Sequence, residues 1–541
     1  MSGSPPPASA GAPAPRERSG RAATLVATGI LLSRLAGLVR QHFLARYLGL
    51  SDGADAFNAA FRIPNFLQNL FGEGVLSASF IPVYARLRAN GEEKEAADVA
   101  NAVLSLLAVA TSLLVLAGIA ATPLLIALIA PGFTGAKREL TITLVRILFP
   151  GAGLLVISAW CLGVLNSHRR FLVSYSAPIV WNVAIIAALI WRGGRVPEFD
   201  LAEVAARASV VGSAAQLLVQ VPTVLSLLHH FNITWDTASA NVRTVVSNFL
   251  PVFVGRGVVQ ISGYIDAVIA SLLGTGALAA LTNAQALYML PVSLFGMSVS
   301  AAELPAMSSA VGDTADVAEY LRSRLDGGLR RIAFLVIPSS MAFLALGDIL
   351  AGALFKSGKF TQADSVYVWS ILAGSAVGLL ASTLGRLYAS TYYALRDTRT
   401  PLRYAIVRVL LTSGLGYLFA LPLPKLLGVD AHWGVAGLTA SAGIAGWVEF
   451  VLLRRTLNAR IGRTGLPAPL VARLWLSAAL AAAVAWGVKV LVGPRPAILL
   501  AVLTIVPYGI VYFASTAALG VPEVRTTFNR VSNRLSSSRK R

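Results

Sequence analysis

Eight arginines stand inside long apolar stretches of this chain: Arg34, Arg40, Arg46, Arg62, Arg146, Arg256, Arg386 and Arg408. A guanidinium is planar, permanently charged and forked, so its donors match two oxygens of one phosphate at once. Arg46 and Arg146 lie near the ends of their stretches and can reach an interface by snorkelling. Each of the other six costs roughly 2.5–3.5 kcal/mol if it faces lipid, or on the order of 15–20 kcal/mol together. They must instead face a wet cavity or a carboxylate, and carboxylates are scarce. Asp55 stands seven residues before Arg62 on one helix face, which makes the two a candidate pair. Asp266 and Glu303 are the other deep acids, and Arg256 and Gln260 share a face at i, i+4 spacing. Arg34 and Arg40 fall about 9 Å apart along an ideal helix and about 120° apart around it. Gly37 between them would permit a bend that brings both to one cavity, and Gly29, Ser33 and Gly37 form a stripe suited to close helix contact. An excess of deep arginine over carboxylate points to an anionic cargo, with phosphate the best match.

The elements that must position these groups are transmembrane helices. The chain of 541 residues is 56% hydrophobic and only 13% charged, with a mean hydropathy of +0.70. A soluble chain would carry about 25% charged residues. Apolar runs predict an all-α polytopic membrane protein of about fourteen helices, over 22–48, 54–86, 97–130, 141–165, 174–194, 203–229, 241–271, 276–309, 328–356, 363–393, 400–422, 433–457, 471–493 and 496–519. The net charge of +20 sits mostly in short loops, which fits membrane topology and excludes a nucleic-acid footprint. With the N-terminus in the cytoplasm, the clusters Arg169–Arg170, Arg322–Arg331, Arg396–Arg403 and Arg454–Arg473 all fall inside, as does the C-terminus. The Pro-, Ala- and Ser-rich segment 1–20 reads as a disordered cytoplasmic extension, and 521–541 as a basic tail against anionic headgroups. Cys161, the single cysteine, excludes an intrachain disulfide framework and reads as a buried small hydrophobe.

The second and eighth spans repeat one another. Asn58, Pro64, Leu70-Phe71-Gly72 and Pro82 match Asn283, Pro291, Leu294-Phe295-Gly296 and Pro305 at an offset of about 225. A weaker echo joins LNSHRRF from Leu165 to ALRDTRTP from Ala394. Repeats six spans apart imply two pseudo-symmetric six-helix lobes, 21–230 and 241–460, with two additional helices over 468–520. In folds of that kind the binding site lies between the lobes. There is no Walker A loop, so no ATPase site is expected. GTGALA from Gly274 follows an apolar span without a βαβ context and reads as a helix-connecting turn. The five histidines form no metal constellation, so neither a metal nor a cofactor is expected, nor an enzymatic site.

SRLAGLVR from Ser33 and ADAFNAAFRIPNFLQNLFGEGVLSASFIPV from Ala54 resemble the MurJ (MviN) family of lipid II flippases, within the multidrug, oligosaccharidyl-lipid and polysaccharide exporter superfamily. The resemblance continues through APGF at Ala130, LNSHRRFLVSYSAP from Leu165, the QIS of Gln260, GKFT from Gly358 and YYALRDTRTP from Tyr392, covering about residues 22–520. It implies a cationic cavity lined by spans one, two, seven and eight, and a lipid-tail groove shaped by the last two helices. The implied substrate is the undecaprenyl-pyrophosphate-linked precursor of peptidoglycan, carried from the inner to the outer leaflet of the bacterial inner membrane. The family's two first-span arginines fall on Arg34 and Arg40, its second-span aspartate on Asp55, the basic residue before IPN on Arg62, and the basic position late in span ten on Arg386. Gln68 and Asn69 replace an arginine pair usual in the family, Ala286 replaces an arginine of span eight, and Glu303 is acidic at a normally neutral position.

Arg34, Arg40, Asp55, Arg62, Arg256 and Gln260 are therefore the expected substrate-binding residues, with Arg256 replacing the charge missing at Ala286. Asp266, Arg386, Arg408 and Glu303 are candidates for coupling or ion pairing, Asp266 with Arg408 in particular. A coupling cation or the membrane potential is the expected energy source. Partners are the lipid-linked substrate, membrane lipids and cell-wall synthesis proteins. Three other readings stay open: a flippase for another polyprenyl-phosphate-linked glycan, a drug or cation antiporter (which needs an acidic cavity), and a transport-inactive membrane scaffold, which requires the deep arginines to be paired internally.

Overall fold

A computed structural model describes residues 15–71, 73–228, 239–310 and 314–524. Seventeen α-helices are described: α1 (Pro15–Leu48), α2 (Asp52–Phe71), α3 (Glu73–Ala89), α4 (Glu93–Ile129), α5 (Gly135–Ser167), α6 (Phe171–Arg192), α7 (Glu198–Leu228), α8 (Ala240–Ser271), α9 (Ala277–Pro291), α10 (Ser298–Ser308), α11 (Thr314–Phe355), α12 (Gln362–Ala394), α13 (Arg399–Ala420), α14 (Pro422–Leu426), α15 (Gly434–Ile461), α16 (Ala468–Val492) and α17 (Ala497–Ala518). They make up the fourteen expected spans. Span two is divided into α2 and α3. Span eight is α9 and α10 joined by a π-helical turn at Val292–Met297, which follows Pro291. Proline has no N–H for the α-helical ladder, and the wider turn lets the chain pass this point without leaving the helix.

Eleven of the spans are long and apolar enough to cross a membrane, among the described residues. The remaining three are α1, α2–α3 and α8, which carry Arg34, Arg40, Arg62 and Arg256. Two boundaries differ from expectation. α1 is described from Pro15, inside the segment read as a disordered extension. α11 begins at Thr314, about four turns before the apolar run, since amphipathic sequence continues the helix beyond lipid. The basic tail from Arg525 onward lies outside the described residues.

The chain divides into two compact units. One comprises residues 1–43, 60–125 and 140–258, the other 44–59, 126–139 and 259–541. In the first, Phe80, Tyr84, Val156, Trp160, Val164 and Leu165 centre the core. In the second, α12 packs on α11 and α15, α13 on α15, and α16 on α17 and α11. Tyr508 and Tyr512 of α17 donate to the carbonyls of Pro338 and Phe334 on α11, both at 2.6 Å. The additional helices are thereby fixed by polar contacts that have no aqueous competitor. The α12–α15 contact is backbone on backbone: a Cβ on Gly378 would collide with Gly443. Apolar burial gives little drive between helices in lipid, so this close approach supplies the packing.

The internal repeat is written in the backbone. Arg169 and Arg396 are the two non-glycine residues at positive φ among those described, at 58° and 59°. Each ends a helix in the same way. The Arg169 and Arg170 amides donate to Asn166 and Leu165, and those of Arg396 and Asp397 to Tyr393 and Tyr392. This double bond with a left-handed residue is the Schellman closure of a helix. The two turns stand 227 residues apart and fix the register that the sequence echo left approximate. In the second turn Asp397 also accepts from the Thr400 amide and hydroxyl and from Arg460. Those contacts, Thr400's first, hold the Asp397 carboxyl down at about 2.

Gly378→Leu is expected to lower the apparent melting temperature in detergent by at least about 5 °C, since it overpacks a backbone contact. Gly327→Ala, where a Cβ meets open space, is the control that leaves it unlowered. The stabilisation from Asp397 is present above the ordinary carboxylate range and is lost only as pH falls toward 2. Amide protection factors in residues 395–400, read by hydrogen exchange, should therefore stay level from pH 8 to pH 5. Asp397→Asn should lower them at every pH in that interval.

Candidate functional site

The expected site residues fall into two groups according to whether the fold has already neutralised them. Asp55 is fully buried at the start of α2. Its Oδ2 accepts from the Gly276 amide at 2.7 Å and from Lys137 Nζ at 2.6 Å, and its Oδ1 accepts from the Ala279 amide at 2.8 Å. Gly276 stands at positive φ and opens α9. The GTGALA segment is indeed a helix-connecting turn. Its exposed amides form the kind of anion cradle found at helix N-termini, and Asp55 occupies it. Lys137 also meets Asp52 at 2.9 Å, and Thr275 donates to Asp52 at 2.8 Å. The expected pairing of Asp55 with Arg62 is not made, because two amides and an ammonium already fill the carboxylate. Asp55 thus caps the start of α9. Removing a partner from such a buried charge costs about 3–5 kcal/mol.

Glu303, on α10, is buried. Arg331 of α11 donates to it at 2.9 Å, and Arg324 makes an ion contact at 2.8 Å without hydrogen-bond alignment. Arg408 donates to Glu449 of α15 at 3.1 Å. Glu449, one helix away from Arg408 in the tightly packed α13–α15 pair, takes the place expected of Asp266. Asp266 is half-buried on α8, and Arg62 half-buried on α2, each with a partner of its own. Arg386 is exposed on α12, and its guanidinium has no hydrogen bond or ion pair among the described residues. The side chains of Arg256 and Gln260 lie outside the described residues, so the expected compensation by Arg256 lies outside them too.

Arg34 and Arg40 remain. Arg34 is exposed and Arg40 half-buried, both on α1, which runs unbroken through Gly37 rather than bending there. Of the small-residue stripe, Gly29 packs against Tyr175, whereas Gly37 faces open space. Neither arginine has a carboxylate partner among the described residues. Arg40 rests against aromatic rings instead. Its Cζ lies 5.0 Å from the centroids of both Phe61 and Trp181. Those two rings stack on each other at 5.4 Å, only 13° from parallel. The Arg40 Nε is buried and has no hydrogen-bond partner among the described residues.

Sequence reasoning placed the arginines but missed their neighbours. Lys137, Glu449, Arg324 and Arg331 are the counter-charges that decide which acids and bases are spent. All four were visible in the sequence, Arg324 and Arg331 within a basic cluster. Nothing in their spacing pairs them with a site residue, since the partners lie 21 to 82 residues away. Trp181 and Phe61 carried no signal beyond being aromatic in apolar helices.

A family model described as "Lipid II flippase MurJ" matches residues 44–506. The lipid II flippase MurJ of Burkholderia cenocepacia is 33% identical over 448 residues, covering 81% of this chain and 84% of its own length. A probable lipid II flippase MurJ of Vibrio cholerae is 29% identical over 445 residues, covering 80% and 82%. Among solved structures, a lipid II flippase MurJ in an inward closed conformation matches with a TM-score of 0.77 at 21% identity, over 92% of this chain and 98% of that one. A multidrug resistance MATE family transporter in its inward-facing conformation matches at 0.63 and 20% identity, over 79% and 95%. These likenesses in structure show that the chain shares the fold of those two transporters. The extent of the family match, together with the 33% identical relative, shows that this chain belongs to the lipid II flippase MurJ family.

Proposed function

We propose that this chain moves lipid II, the undecaprenyl-pyrophosphate-linked peptidoglycan precursor, from the inner to the outer leaflet of the bacterial inner membrane by alternating access. The observation that carries this reading is the pair of arginines on α1, Arg34 and Arg40, with no carboxylate partner among the described residues. Bases held at membrane depth without an internal counter-charge suit a cargo that supplies one, and a pyrophosphate supplies two. The polyprenyl chain stays in lipid while the polar head follows the arginines. Return of the unloaded carrier draws on a coupling cation or on the membrane potential, which is worth about 2.3 kcal/mol per charge per 100 mV. Both termini face the cytoplasm, as the distribution of basic loops requires. The outer-leaflet product passes to cell-wall synthesis proteins.

Two alternatives compete. Gln68 and Ala286, where the family commonly has arginine, favour a related polyprenyl-phosphate glycan as cargo. A transport-inactive scaffold requires the deep arginines to be spent internally, and the Arg408–Glu449 link fits that requirement while Arg34 and Arg40 do not.

The deciding experiment is complementation of a bacterial strain depleted of its own lipid II flippase. The wild-type chain is expected to restore growth. Arg34→Ala and Arg40→Ala, present in the membrane at wild-type level, should each reduce lipid II translocation at least tenfold. Failure of the wild-type chain to translocate lipid II, with translocation of another polyprenyl-linked glycan, would establish the first alternative. Absence of any translocation would establish the scaffold. Arg408→Ala, by contrast, should reduce thermal stability, because it strands Glu449, and should leave the affinity for lipid II within about threefold of wild type.

A further inference from the structure

We infer that Trp181 and Phe61 are positioning residues for the cargo, an aromatic rest that fixes the plane of the Arg40 guanidinium. The inference rests on the lipid II reading above and adds to it the groups that orient the binding charge.

The geometry begins at α7. The indole Nε1 of Trp181 donates to both the carbonyl and the hydroxyl of Ser209, each at 3.1 Å. Ser209 is buried, and Gly212, one turn further on, leaves the space that the indole occupies. A Cβ on Gly212 would stand 2.9 Å from Trp181 Cδ1 and equally close to the Trp181 carbonyl oxygen. The indole is therefore held from behind by a helix shaped to receive it. Phe61 of α2 stacks on its exposed face at 5.4 Å. The Arg40 Cζ is equidistant from the two centroids at 5.0 Å, so the three points form a nearly equilateral triangle. The cation therefore sits beside the stacked pair, against both rings at once.

Three consequences follow from that placement. An aromatic contact carries no formal charge, so it holds a cation without neutralising it as a carboxylate would. The net charge of Arg40 therefore stays available to an anion. Contact with two fixed rings also removes rotamer freedom from a long side chain before cargo arrives, which reduces the ordering cost of binding. Finally, the buried Nε lacks a hydrogen-bond partner among the described residues, so this donor is not consumed by the protein around it. A planar fork held in one orientation suits bidentate contact with a phosphate, and a freely rotating one does so less well. Arg34, on the same helix, has no such rest among the described residues and would supply charge rather than orientation.

The test measures the affinity of the purified full-length chain for lipid II in nanodiscs, with uncharged polyprenol as the control ligand. Trp181→Leu is expected to weaken lipid II binding about tenfold, which is about 1.4 kcal/mol. Trp181→Phe, which keeps a ring face, should stay within about threefold. The discriminating arm repeats Trp181→Leu in an Arg40→Lys background. An ammonium has no plane to orient, so the additional loss there should fall below about threefold. An equal tenfold loss in both backgrounds would show that Trp181 acts through general packing and would overturn the inference. Retention of wild-type affinity by Trp181→Leu would overturn it as well. Should Trp181→Leu not fold, as judged by its melting profile, Phe61→Leu in the same two backgrounds decides the question by the same criterion. If the wild-type chain binds lipid II no better than polyprenol, the lipid II reading itself fails, and that result is separate from any effect of Trp181.

Discussion

Charge at membrane depth has to be answered, and how it is answered here sorts structure from function. Asp55 is met by two backbone amides and Lys137, Glu303 by two arginines, and Arg408 by Glu449. Asp55 is fully buried, so its link in particular would be costly to open. Arg34 and Arg40 are answered by no carboxylate among the described residues. Aromatic contact lowers the cost of holding Arg40 but cannot cancel its charge. A counter-ion must come from outside the protein, and the cargo is the natural source.

The start of α9 shows the same physics turned inward. A glycine-rich turn before a helix presents several amides in one direction, which is how many proteins bind phosphate. Here Asp55 fills that cradle, and Lys137 balances the charge that arrives. An anion site has become an internal fastening between the start of α2 and the start of α9. The family aspartate is explained without asking it to touch an anionic cargo, which it would repel.

The sequence was most informative about what depends on local pattern. Fourteen spans, the internal repeat and the arginines of α1 follow from hydropathy, from matched proline and glycine positions and from the cost of buried charge. It was least informative about partners. Asp55 and Arg62 share a helix face, yet the nearest strong donors to Asp55 come from Lys137, 82 residues on, and from amides more than 220 residues away. Asp266 looked a reasonable match for Arg408 because both are deep and opposite in sign. The choice of Glu449 depends on α13 packing along α15, a tertiary fact with no trace in spacing. Gly37 was read as a possible bend, although an isolated glycine lowers helix propensity by only about 1 kcal/mol and the surrounding turns carry α1 through it.

Duplication of one lobe pattern has not meant duplication of its chemistry. The register of 227 set by the Arg169 and Arg396 turns aligns Trp181, in the helix that follows, with Arg408. At the position where the first repeat places an aromatic ring beneath an unpaired guanidinium, the second places a guanidinium of its own and ties it to Glu449. The first repeat thus keeps positive charge available, and the second converts it into an internal bond. The contrast holds position by position rather than lobe by lobe, since Arg386 of α12, in the second repeat, also has no hydrogen bond or ion pair among the described residues.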